Sequence, residues 1–293
     1  MDMKTDSEIL ISYEIKVPGI RSTQEKVDNI IIQLSEKIKE NDFIQFINIP
    51  EIIEENWKGD SYYRSVDVVS LGDKIQKVTQ KEIIINKIVG HIEKDIFQDF
   101  LRETKEKGIQ NIVLVGPTND AFSYPGPSIP EANNEAANSG IIVGNICIPD
   151  RNNEADRMFK KTECGCSFFT TQVLFEEENM NNVLKEYDKL CKENRIKPAR
   201  IFLCFATIAD EYDIDFFKWL GVVIPEKTEQ ELRESTDMNE YSIKKLRETY
   251  ENNLKFKKEN KIEVPLGLNI AQVSIHNFDI SFKLARELFQ VKL

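Results

Sequence analysis

The constraint that most narrows the fold of this chain is a repeating alternation: short, almost continuously apolar runs separated by longer stretches with apolar residues at three- and four-residue steps. Segments such as IVLVG at 112–116 and ARIFLCF at 199–205 are almost continuously apolar. A strand of that kind must be covered on both sides, which is the situation in a parallel sheet flanked by helices. Eight such runs are read as strands, at 8–15, 43–47, 82–89, 111–115, 140–148, 167–173, 200–204 and 267–272. Helices are expected at 22–39, 95–107, 128–138, 153–163, 180–194 and 277–289, where Leu, Ile and Phe recur with helical spacing. Eight strands alternating with helices in 293 residues predict an α/β fold, a single (β/α)8 TIM barrel, forming one domain over residues 1–293. A doubly wound open sheet is the competing arrangement. It usually carries a GxGxxG turn after a strand, and Gly116-Pro117-Thr118 does not have that glycine spacing.

Two segments interrupt the rhythm. Residues 51–81 form a polar stretch containing Trp57, Tyr62 and Tyr63, and residues 226–261 read as a long, highly charged helical segment with a solvated surface. No internal repeat of roughly 20 to 50 residues is visible.

Charge and cysteine content bound the chemistry. Thirty-nine basic against 50 acidic residues give a formal net charge of −11, which argues against nucleic acid as the partner. No run of about 18 apolar residues and no apolar core behind a basic start occur, so no membrane association and a cytoplasmic location are expected. The five cysteines, Cys147, Cys164, Cys166, Cys191 and Cys204, form no CxxC pair and are read as reduced, mostly buried thiols. Neither His91 nor His276 sits among other ligand types, so no catalytic metal is expected.

A barrel places its chemistry at the C-terminal ends of its strands. Glu14 ends the first run, in YEIKVPG, just before the Pro18-Gly19 break. A partly desolvated carboxyl group there can serve as a general acid. Gln172 closes TECGCSFFTTQ, and its amide, which both donates and accepts, suits a pyrimidine-like edge. Thr170 and Thr171 alternate between the two sides of that strand. Tyr124-Pro125-Gly126-Pro127 fixes a turn, after which Ser128 and Glu131 have capping-box spacing. Asn119 and Tyr124 place a polar group and a ring where they could cover a planar cofactor.

Taken together, the Ile11–Glu14 segment and the motifs VGPTND, YPGPSIPEAN, GNICIPDRNNEADRMFKK and TECGCSFFTTQ resemble the methylenetetrahydrofolate reductase family. The specific motifs lie between about 111 and 205; the second and third strands keep none. The resemblance implies Glu14 as the acid that protonates the folate nitrogen, and Gln172 with Thr171 as substrate contacts. It implies FAD, with NADH, NADPH or a protein as electron donor; Asp120, Arg157, Lys160 and Lys161 are its candidate contacts by comparison with the family, and Asn119 and Tyr124 join them from the composition of their loop. Lys160 and Lys161 match the family's Arg-Lys, while Arg157 stands in place of an asparagine. Val115-Gly116-Pro117 replaces the family's Arg-Gly-Asp, leaving Asp120 as the nearest substitute. The expected activity is flavin-dependent reduction of a methylene-bearing reduced pterin to its methyl form. Two alternatives stay open: a flavin-independent or methyl-transferring pterin binder, and a non-catalytic barrel that works as a subunit of a larger assembly. A homo-oligomer is compatible with all three.

Overall fold

The computed structural model describes residues 9–56, 61–117 and 123–291. In chain order the elements are β1 (Leu10–Glu14), α1 (Gln24–Glu40), β2 (Phe46–Pro50), β3 (Ile53–Glu55), β4 (Ser61–Tyr63), α2 (Val68–Thr79), β5 (Glu82–Ile88), α3 (Lys94–Glu106), β6 (Asn111–Val115) and α4 (Ile129–Asn138). There follow β7 (Ile142–Cys147), α5 (Glu154–Glu163), β8 (Cys166–Val173), α6 (Glu178–Asn194), β9 (Arg200–Phe205), α7 (Glu211–Trp219), α8 (Glu226–Glu234), α9 (Met238–Glu259), β10 (Leu266–Ala271) and α10 (Phe278–Phe289). Eight strands close into a barrel in the order β1-β10-β9-β8-β7-β6-β5-β2, and β3 and β4 form a separate two-stranded sheet. The fold is the (β/α)8 barrel that the alternation predicts.

Two compact units divide the chain. One consists of Ser12–Ile146 with Lys160–Phe169, and the other takes the rest of the described residues. In the first unit β1, β2, β5, β6 and β7 pair in parallel. Their register sorts the side chains. Lys87, Leu114 and Asn145 occupy one row, and Asn145 faces the helices, because its amide exchanges bonds of 2.7 and 3.0 Å with Asn133 on α4. The alternate row, Asn86, Val113 and Gly144, therefore points to the barrel interior. The same parity carries Asn48 and, through its pairing with Asn48, Glu14 to the inner side.

The inner space near β7 is filled by an aromatic ring. A Cβ built on Gly144 would lie 2.4 Å from the Phe168 ring, so the glycine makes room for a fully buried phenylalanine. In the second unit β9 and β10 pair in parallel from Leu266↔Ile201 to Ile270↔Phe205. There Gly267 plays the corresponding part for Phe202, whose ring would be 2.8 Å from a Cβ.

Several sequence expectations shift. The second strand runs over Phe46–Pro50 rather than 43–47, because Asn41 closes α1 and the amide of Ile44 bonds back to its carbonyl. The polar stretch 51–81 holds the β3–β4 hairpin and helix α2, which buries Val68, Val69, Leu71 and Ile75. The charged segment 226–261 is two helices, and α9 is not simply solvated: Ile243, Leu246 and Tyr250 are buried on one side. Charges at helical spacing concealed a narrow apolar stripe. Among the cysteines, Cys164 is half-buried and the other four are buried. Among the described residues no helix is long and apolar enough to cross a membrane.

Gly144→Ala should destabilise the chain by about 1–3 kcal/mol through overpacking against Phe168, read as a melting temperature lower by several degrees. Adding Phe168→Leu should restore most of the loss. A variant that melts like the parent would show that the ring can move aside without cost.

Candidate functional site

The first unit gathers its polar side chains at the C-terminal ends of β1, β2 and β5. Glu14 is half-buried, and Asn48 donates from Nδ2 to Glu14 Oε2 at 2.7 Å. That hydrogen bond fixes the direction of the carboxyl group. Ser12, Asn48 and Asn86 are buried, and the hydroxyl or amide oxygen of each has no partner among the described residues.

Around this inner set the loops are bound by charge. Glu51, just beyond β2, accepts from Lys87 Nζ at 2.6 Å and from the amide of Ile88 at 3.1 Å. Both side chains of this ion pair are at least nine-tenths shielded from solvent. Lys87 Nζ also lies 5.6 Å from the ring centre of Tyr63 and 5.2 Å from that of Phe100, so its charge is satisfied on the helix side of the sheet. The hairpin is stitched to its surroundings by backbone: Arg64 donates to Ile52 O, Ile20 to Arg64 O, and Val66 to Pro18 O.

A second carboxylate joins three loops. Glu55 on β3 accepts from the Tyr124 hydroxyl at 3.0 Å, and its other oxygen lies 2.8 Å from His91 Nε2, an ion pair when the imidazole is protonated. The His91 and Tyr124 rings meet edge to face with centres 5.0 Å apart. What brings Tyr124 there is Gly126. Its amide donates to Gly90 O at 3.0 Å, and a Cβ at this position would sit 1.9 Å from Val89 O. The capping box expected at Ser128 and Glu131 is present and starts α4 directly afterwards. Its hydrogen bonds hold the Glu131 carboxyl below its ordinary range.

The remaining sequence candidates are distributed as follows. Asn119 and Asp120 lie outside the described residues. Lys161 donates to Ile146 O at 2.9 Å and lies 6.0 Å from the centre of the Phe169 ring, while Lys160 is exposed. In the second unit Arg157 is exposed, and the Thr171 hydroxyl accepts from the Cys204 amide at 2.8 Å. Thr171 therefore serves as a strut within the sheet. Gln172 is half-buried, with its amide oxygen 3.1 Å from the Val173 amide.

That unit also carries a cross-linked pair of loops. Asp213 is fully buried and accepts from the Ala209 amide at 2.9 Å; Asn277 donates to Thr207 O, and Asp210 faces His276 Nδ1 at 3.1 Å. Burial pushes the Asp213 carboxyl above its usual range, only partly offset by the bonds from Ala209 and Ser274. Among the described residues no group of three or more His, Cys, Asp or Glu side chains could hold a metal ion.

Sequence reading passed over Asn48, Asn86, Glu51, Glu55 and the role of His91. A signal did exist for the two asparagines. Each is a lone amide among apolar neighbours, in FINIP and in the III-N run of EIIINKI, where an unmatched polar group is costly.

No protein-family model matches the chain, and no curated protein is matched by its sequence. Solved structures do resemble it. An uncharacterized protein from Clostridium thermocellum that binds two copies of 5-methyl-5,6,7,8-tetrahydrofolic acid superposes with a TM-score of 0.79 and 22% identity, over 97% of this chain and 96% of its own. A mutant tryptophan synthase α-subunit from Pyrococcus furiosus gives 0.53 and 11% identity, over 97% and 98%. At these identities the likeness is one of fold.

Two outcomes follow from the geometry. Gly126→Ala should push the 123–128 loop off the Val89 and Gly90 carbonyls and break the Tyr124–Glu55 bond, read as faster amide exchange at Gly126 and in the 89–92 turn; unchanged exchange would refute that packing. Asp213 binds its proton more tightly folded than unfolded, so it makes stability fall as pH rises from its unfolded value through its higher native one. Asp213→Asn should flatten that part of the stability profile in denaturant titrations, and an unaltered slope would exclude Asp213 as its source.

Proposed function

We propose that this chain binds a reduced folate carrying a one-carbon unit at the C-terminal end of its barrel, and that Glu14 is the proton donor in reduction of the methylene form to the methyl form. The observation that carries the reading is Glu14 itself. It closes β1, is half-buried, and is held by the Asn48 amide, in a barrel whose likeness to a protein that binds 5-methyltetrahydrofolic acid runs over nearly the full length of both. That likeness and the motif resemblance to methylenetetrahydrofolate reductases support the same substrate class from independent directions.

The chemistry required of the protein is small. Opening a methylene bridge between two nitrogens needs a proton on the departing nitrogen, and a positioned carboxylic acid supplies it. Glu14 delivers this proton, and Asn48 keeps the carboxyl group aimed while it is given up and regained. The motif resemblance offers Gln172, half-buried on β8, as a candidate for a substrate contact.

A flavin, reduced by NADH, NADPH or a protein electron donor, would supply the hydride when bound. The residues present fit it in part. Arg157 and Lys160 are exposed cations that could hold its diphosphate, whereas the Tyr124 hydroxyl and the Lys161 ammonium are spent on Glu55 and on the Ile146 carbonyl. Those two commitments favour, as second reading, a folate-binding barrel that works without flavin.

Titration with 5-methyltetrahydrofolate tests the folate site directly, and absence of binding would remove both readings. The flavin question is decided by absorbance after heat release from purified protein: flavin bands support reduction, and none even after added FAD would leave the second reading. In a flavin-loaded enzyme Glu14→Gln should slow pterin reduction by about 100-fold and leave flavin reduction by the donor nearly unchanged. Equal losses in both half-reactions would assign Glu14 a structural part.

A further inference from the structure

The inner face of β2 and β5 carries two amides whose oxygens the fold does not use for itself. Asn48 and Asn86 are 1% and 9% exposed, and the amide oxygen of each is buried without a hydrogen-bond partner among the described residues. Buried polar atoms are almost always paired, so two unpaired acceptors on neighbouring strands call for a specific reason. They also sit where a barrel binds its ligand, toward the C-terminal strand ends.

The direction of one amide is set by its neighbour. Asn48 turns its NH2 to Glu14 Oε2, and its oxygen is the atom left over. Register places the second amide close by. Asn48 pairs with Ile84, two residues before Asn86, which puts both side chains on the same side of the sheet, one inner layer apart on adjacent strands.

Two neutral acceptors select a ligand edge that presents N–H donors. The pyrimidine ring of a reduced pterin has such an edge, with a lactam N–H next to an exocyclic amino group. A carboxylate could accept the same protons, but beside Glu14 it would add a like charge and hold one of the two carboxyls protonated. Amides accept without that conflict.

We propose that Asn48 and Asn86 read the ring N–H groups of the bound pterin, and that Asn48, by accepting from the ring while donating to Glu14, links substrate placement to the proton donor. This inference rests on the folate reading above. Glu14 is the catalytic residue, and Asn48 is both a substrate contact and the residue that positions it.

The test uses the full chain and 5-methyltetrahydrofolate as the probe, titrated by calorimetry. Asn48→Leu and Asn86→Leu should each weaken binding by about 10- to 100-fold, the scale for a buried hydrogen bond lost to a ligand group that cannot pair elsewhere. Asn48→Asp is the discriminating variant. It keeps an acceptor for the ring but sets a second carboxyl beside Glu14, so the two share a proton and binding should tighten as pH rises through their titration, roughly between pH 5 and 8. Wild type should lack that dependence, and a residue that only packs would not create it. Should Asn48→Leu fail to fold, Asn86→Leu and Asn48→Asp carry the test. Wild-type protein that binds the probe, with folded leucine variants that bind it equally well, overturns this inference and leaves the folate reading standing. Loss of FAD binding in these variants with unchanged affinity for the probe overturns it as well. Wild-type protein that does not bind the probe overturns the folate reading and this inference with it.

Discussion

Parallel pairing with a side-chain period of two is the constraint on which the rest of this structure depends. The registers Glu14↔Asn48, Pro50↔Asn86 and Val113↔Gly144 place one row of side chains inside the barrel and the next row against the helices. A slip of one residue in β2 would turn Asn48 toward the helices and break its hydrogen bond to Glu14. The register is secured on the outer side by Asn145 and Asn133, which satisfy each other's amides between β7 and α4. It is secured on the inner side by Phe168, which fills the space that Gly144 vacates.

The loops above the first unit are held by polar rather than apolar contacts. A shielded pair such as Glu51 and Lys87 contributes little net stability when complete, but removing one partner leaves a buried charge and costs about 3–5 kcal/mol. Such pairs therefore specify an arrangement more than they strengthen it. Glu51 ties the end of β2 to β5, and Glu55 ties the hairpin to the turns bearing His91 and Tyr124. Gly126 belongs to the same system, because only a residue without a Cβ can lie against the Val89 carbonyl.

Polar side chains that look alike in the sequence differ in what they are already bonded to. Tyr124, Thr171 and Lys161 satisfy groups of the protein itself. Asn48 is committed on one atom only, and the oxygens of Asn48 and Asn86 remain unpaired. Half-committed amides on the inner wall are suited to orienting a ligand, because binding completes their hydrogen bonds instead of breaking existing ones.

The sequence by itself determined the architecture. Apolar runs such as IVLVG and ARIFLCF can be buried only on both faces, and their alternation with amphipathic stretches leaves a parallel barrel as the economical solution. It also located Glu14 at a strand end and the capping box at Ser128 and Glu131, since both are local signals. Tertiary structure decided what local pattern could not carry. The hairpin and α2 were concealed in a stretch without a clear period, and the buried stripe of α9 was concealed by charges at the same helical spacing. The partners of Glu14, Glu51 and Glu55 lie 34, 36 and 36 residues away along the chain (48−14, 87−51, 91−55). A lone asparagine within FINIP or EIIINKI becomes legible as a site only once the strands are paired, because register alone puts the two amides and the carboxylate on one face.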